Sequence, residues 1–157
     1  MSAARFPGIV LPLLLVGLVA GCGGSARLSP NAYRARLATI GREANGAEAG
    51  VERGLHAKTV VELRQRLGSF ARAAQKLGDE VGALKPPKNA ETANALLARG
   101  EHDTASATRA VLPHLAKLKS VKAALSLLNK SQGNAKGGSE LDEALAELKK
   151  LGYTKGS

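Results

Sequence analysis

Residues 60–84 read VVELRQRLGSFARAAQKLGDEVGAL. Within them Val60, Leu63, Leu67, Phe70, Ala74, Leu77, Val81 and Leu84 recur at alternating spacings of three and four, which keeps them on one stripe of a helix turning every ~3.6 residues. Arg64, Arg66, Arg72, Lys76, Asp79 and Glu80 fall off that stripe and belong in water. A heptad seam of this kind either pairs with a second copy as a coiled coil or packs against helices of its own chain. Amphipathic segments on both sides favour internal packing. Pro86-Pro87 ends the segment, because proline lacks an amide hydrogen and disfavours helical geometry in the residue before it.

Working outward, Ser29-Pro30-Asn31 offers a helix start, and Tyr33, Leu37, Ile40, Ala44, Ala47 and Val51 form an apolar face behind it. Gly41, Gly46 and Gly50 each weaken this helix by up to ~1 kcal/mol relative to alanine, so close approach of a neighbouring helix is expected there. A break is expected near Gly54 to Ala57, or else the first two helices run on almost continuously.

Beyond the prolines, Asn89 to Arg99 reads as helix on Ala93, Leu96 and Leu97, and Gly100 to Ala107 as either weak helix or loop. Val111, Leu112, Leu115, Leu118, Val121, Leu125 and Leu128 make a further apolar stripe, which Pro113 should kink or begin. Residues 129–139 are polar and glycine-rich, the composition of a loop. Ser139, followed by Asp142 three residues on, is placed to cap a last helix on Leu141, Leu145, Leu148 and Leu151, with Gly152 as its stop. The expected fold is all-α, an antiparallel bundle of about four helices over residues 30–157.

The chain carries 23 basic and 13 acidic residues, a formal net charge of +10. The charge is unevenly placed: residues 104–139 hold Arg109, Lys117, Lys119, Lys122, Lys130 and Lys136 with no carboxylate. Lys119, Lys122 and Lys130 can share a helix face opposite Leu118, Leu125 and Leu128, and with Lys117 they are the candidate polyanion-binding residues. Anionic lipid headgroups or anionic wall polymer are the partners this implies. Nucleic acid is not an expected partner, since Tyr33, Phe70 and Tyr153 are the only aromatics after the first 21 residues and give little stacking surface.

Those first 21 residues have a different character. One positive charge, Arg5, precedes the apolar run from Ile9 to Gly21, which is the layout of an export signal. The run falls short of the ~20 apolar residues that span a bilayer, and Pro12 interrupts it. Its end, Val19-Ala20-Gly21-Cys22, resembles the lipobox of bacterial prolipoproteins. The resemblance implies cleavage between Gly21 and Cys22, attachment of diacylglycerol to the Cys22 thiol, and acylation of the new amino terminus. The expected organisation is then a signal peptide over 1–21, a lipidated tether over 22–29 and a helical domain over 30–157, held by lipid to the outer face of a cell membrane or an outer membrane. In outline the chain is similar to small Ala-rich helical lipoproteins of high-GC bacteria, through the lipobox, the Tyr-led first helix, the Pro-Pro break and the Leu-Gly-Tyr ending; that likeness implies no particular activity.

Cys22 is the sole cysteine, so its lipidation leaves no thiol for a disulfide, for catalysis or for a metal. His56, His102 and His114 are not spaced to share a helix face, and Glu101-His102-Asp103 reads as a solvated turn. Gly133 to Ser139 superficially resembles a phosphate-binding loop, but Gly138 stands where that loop needs lysine and no strand precedes it. There is no Gly-x-Ser-x-Gly nucleophile turn. No catalytic residue, metal ligand or cofactor is therefore expected. The expected function is a non-enzymatic interaction module at the cell envelope, with a binder of anionic lipid or polymer, or a bundle holding a small ligand or metal, as alternatives.

Overall fold

The computed structural model describes residues 26–132 and 136–154. The Gly21–Cys22 cleavage and lipidation site lies outside them. Among the described residues the chain forms five α-helices packed together and no strand: α1 (Pro30–Leu55), α2 (Val60–Ala83), α3 (Glu91–Leu115), α4 (Val121–Gln132) and α5 (Lys136–Lys150), with a 3-10 turn at Lys88–Ala90.

The seam of α2 packs inside the chain. Leu63, Leu67, Ala74, Leu77 and Val81 are buried, and Val60, Phe70 and Leu84 are half-buried. The helix begins where Thr59 Oγ1 accepts the Glu62 amide at 3.1 Å, while the Glu62 carboxylate accepts the Lys58 amide at 3.0 Å and an Arg66 N–H at 2.6 Å. Such reciprocal bonds satisfy amides that a helix start leaves open. The Lys58 amide, helped by Arg66, holds the Glu62 carboxyl below its usual range.

Two hydrophobic clusters divide the bundle. The first unites Tyr33, Leu37 and Ile40 of α1, Leu77 and Val81 of α2, Ala93, Leu97 and Ala98 of α3, and Ala144 and Leu148 of α5 with Tyr153. The second gathers Ala57, Leu63, Leu67, Leu115, Ala124 and Leu128 at the other end, where α4 closes over α2 and α3. The chain enters at the first cluster: the Leu28 amide donates to the Lys85 carbonyl at 2.7 Å, and Arg27 donates to the Pro86 carbonyl and pairs with Glu91. Ser29 starts α1, its carbonyl accepting the Tyr33 amide and its hydroxyl the Ala32 amide. The chain leaves at the same end. The Tyr153 amide reaches the Leu148 carbonyl at 2.8 Å and the Gly152 amide reaches Lys149 at 2.9 Å, with Gly152 at φ 76°. This Schellman closure requires the left-handed backbone that glycine adopts without strain.

The structure decides two readings the sequence left open and corrects others. The first helices are separate, and buried Ala57 anchors the turn between them. Gly100 to Ala107 is helix, inside α3. Pro113 lies in the last turn of α3, and the stripe from Val111 to Leu128 is split between two helices: the chain turns through Ala116–Ser120, and α4 starts where the Ser120 hydroxyl accepts the Ala123 amide. Residues 129–132 finish α4 and residues 136–139 already belong to α5, so only 133–135 of the expected loop falls outside the described helices. Ser139 is not a cap; its hydroxyl donates to the Lys136 carbonyl within α5.

The glycines of α1 are also corrected. A methyl added at Gly41, Gly46 or Gly50 would meet nothing within 4 Å. Close approach occurs instead between α3 and α5, where a Cβ on Gly137 would sit 2.7 Å from Thr104 Oγ1 and 2.8 Å from the Gly100 carbonyl oxygen.

Candidate functional site

Three features of the surface bear on function: an apolar groove, a basic corner and the end where the chain enters. The groove opens along the second half of α1, beside the second hydrophobic cluster. Val51, Leu67, Phe70, Ala107, Val111 and Leu128 form its apolar wall, and its volume is about 510 Å3, within the roughly 300–1,000 Å3 typical of small-molecule sites.

Helix spacing places the polar edge. Glu48, Val51 and Glu52 share a face of α1 at positions i, i+3 and i+4, and Thr104, Thr108 and Val111 share a face of α3. The Thr108 hydroxyl donates to the Thr104 carbonyl at 2.8 Å, and the Ser131 hydroxyl donates to the Leu128 carbonyl at 2.8 Å. With their protons committed, both oxygens face the groove as acceptors. Glu101 lies one turn before Thr104 on the same face of α3. Burial raises its pKa above the usual carboxylate range, and the neighbouring charge of Glu48 adds to that effect against a smaller opposing influence of His102. Among the described residues, Glu48, Glu52 and Glu101 have no ion-pair partner.

The basic corner is the turn from α3 to α4. Lys117 and Lys119 lie in that turn, Lys122 in the first turn of α4 and Lys130 in its last, all exposed and none within ion-pair distance of a carboxylate among the described residues. Lys119 precedes the helix, so it does not share an α4 face with Lys122 and Lys130. Lys130 is set ~12 Å along the axis from Lys122 by the helical rise. Lys117, Lys119 and Lys122 therefore form the corner, with Lys130 apart.

Glu101-His102-Asp103 is part of α3 and not a turn. His102 Nε2 lies 3.0 Å from Asp79 Oδ1 on α2. Among the described residues, no three His, Cys, Asp or Glu side chains gather to hold a metal, and no helix is long and apolar enough to cross a membrane. Sequence reading missed the groove. Its one local signal was the Glu48/Glu52 pair, like charges at i, i+4 in a basic chain, a spacing that disfavours a helix by about 0.2–0.5 kcal/mol. The partners on α3 and α4 become visible only with the packing.

No known protein family, curated protein or solved structure matches the chain.

Proposed function

We propose that the mature chain is a non-enzymatic, lipid-anchored helical interaction module at the cell envelope. The observation that carries this reading is the position of the sole cysteine, at the end of the apolar run and five residues before Arg27, which donates to the Pro86 carbonyl at one end of the bundle. A chain of that length spans at most about 18 Å. An acylated Cys22 would thus hold one end of the bundle, with Leu28, Lys85, Asn89 and Tyr153, close to the bilayer. Two acyl chains suffice for stable attachment where one is marginal.

The helices are best read as an antiparallel set. Lys76 of α2 pairs with Glu43 of α1, and Leu28, before α1, meets Lys85, after α2. Gln75 of α2 meets Arg109 of α3, while Asp79, one turn later on α2, meets the earlier His102. A helix of 24 residues, the length of α2, is about 36 Å long. The α3–α4 corner then stands roughly that far from the lipid.

A second reading has specific support in the unpaired lysines of that corner. They suit an anionic wall polymer or the acidic face of a partner protein, reached away from the membrane, better than headgroups beside the anchor. Fractionation of cells expressing wild type and Cys22→Ala tests the main reading. The wild type should partition with membranes and the variant should not; a variant still processed and membrane-bound would refute it. Neutralising Lys117, Lys119 and Lys122 should abolish salt-sensitive binding to wall polymer, and unchanged binding would remove the second reading.

A further inference from the structure

We propose that the groove between α1, α3 and α4 binds a small amphiphilic amine, an apolar body bearing a cationic head. Its wall of Val51, Leu67, Phe70, Ala107, Val111 and Leu128 supplies an apolar surface of ligand size. Its polar edge is rich in acceptors, with the Thr104 hydroxyl beside them. Glu48 and Glu52 bring carboxylates, and Thr108 and Ser131 bring hydroxyl oxygens whose protons are used on backbone carbonyls. Among the described residues no lysine or arginine lines it, although the chain as a whole carries a net charge of +10.

An ammonium group is the complement of such an edge, since it offers three donors and no acceptor. It would also relieve the repulsion among Glu48, Glu52 and nearby Glu101, which have no ion-pair partner among the described residues. An anion would meet the Glu48 and Glu52 carboxylates, with no cation among the described lining residues to offset them. A neutral alcohol would keep the apolar contacts and lose the charge. The ranking amine over alcohol over acid is thus built into the lining. It is independent of whether Cys22 carries lipid, because every residue that defines the groove lies in the folded bundle.

The chain contains no tryptophan, so Phe70→Trp places a single reporter in the wall. The full chain carrying this change, held in nanodiscs of zwitterionic lipid, would be titrated with phenylbutylamine, phenylbutanol and phenylbutyrate against empty nanodiscs. The amine should shift the emission saturably, and the acid should not. Glu48→Gln with Glu52→Gln, both at exposed positions, should lower amine affinity about tenfold and leave the alcohol unchanged. The same titration followed on the Val51 and Val111 methyl resonances of the unmutated chain guards against disturbance by the reporter. Equal binding of amine and alcohol, no saturable response in either readout, or an amine preference that survives both glutamine substitutions would overturn the proposal.

Discussion

The two halves of α1 belong to one helix but are held in different ways. In the first half Tyr33, Leu37 and Ile40 are buried, and Tyr33 is fully enclosed. The Tyr33 hydroxyl donates to Asn94 Oδ1 at 3.0 Å, and Asn94 Nδ2 donates to the Val81 carbonyl at 2.9 Å. The Tyr33 and Tyr153 rings meet edge to face at 5.1 Å, and Tyr153 in turn donates to Asn89. In the second half no described residue is buried beyond Ile40, and Gly41, Gly46 and Gly50 face open space. Cavities lie on two sides there: the groove, and a gap of about 420 Å3 between Gly46, Gly50 and the Gln65–Ala73 stretch of α2, with Phe70 lining both. The lesson is that continuity of a helix says little about uniformity of its support. Tertiary packing supplies most of a helix's stability, and here it is concentrated at the end where the chain enters and leaves.

The largest effect should come from Tyr33→Ala, which empties the tight half and leaves Asn94 Oδ1 without its donor. It should lower the urea-derived unfolding free energy by about 3–5 kcal/mol; a loss below about 1 kcal/mol would mean the two halves are equally supported. Alkaline pH probes the same residue. Burial, with a smaller effect of Tyr153, pushes the Tyr33 hydroxyl up to about 12. The folded state therefore favours the neutral phenol. Its stabilising contribution is intact below pH 10, the unfolded value, and falls by roughly 1.4 kcal/mol per pH unit as the pH rises toward 12. Tyr33→Phe should remove that component of the pH dependence.

A smaller loss is expected from Gly137→Ala, where a methyl would press on Thr104 and the Gly100 carbonyl; about 1–3 kcal/mol is the usual cost of such overpacking. The smallest effect has the opposite sign. Gly46→Ala, in open space within the loose half, should stabilise the protein by up to ~1 kcal/mol and slow amide exchange from Gly41 to Val51. Destabilisation at Gly46 would show that α1 is packed more tightly there than the structure has it.

The contrast between these glycines also shows where sequence reading succeeds. Periodicity is a local property, so the α2 seam, the Ser29 start and the Gly152 stop were legible from spacing and from residues with defined backbone preferences. The role of a glycine depends on what stands across from it. Gly46 and Gly137 look alike in sequence, yet only Gly137 faces a neighbouring backbone. The split of the stripe from Val111 to Leu128 was hidden for a related reason. Leu115 and Leu118 keep helical spacing across the turn because both pack into the cluster where α4 folds back. The groove was illegible since its wall draws residues from α1, α2, α3 and α4. Tyr33 and Tyr153 were visible as scarce aromatics, but their shared enclosure depends on the start of α1 meeting the segment that follows α5.

The proposed lipid anchor at Cys22 is the premise of the functional account, and the mass of the purified mature chain tests it most directly. The expected result is a protein beginning at Cys22, with diacylglycerol on the thiol and a mass that falls by the acyl groups after base hydrolysis. A chain retaining residues 1–21, or one beginning elsewhere with Cys22 as a free thiol, would contradict it.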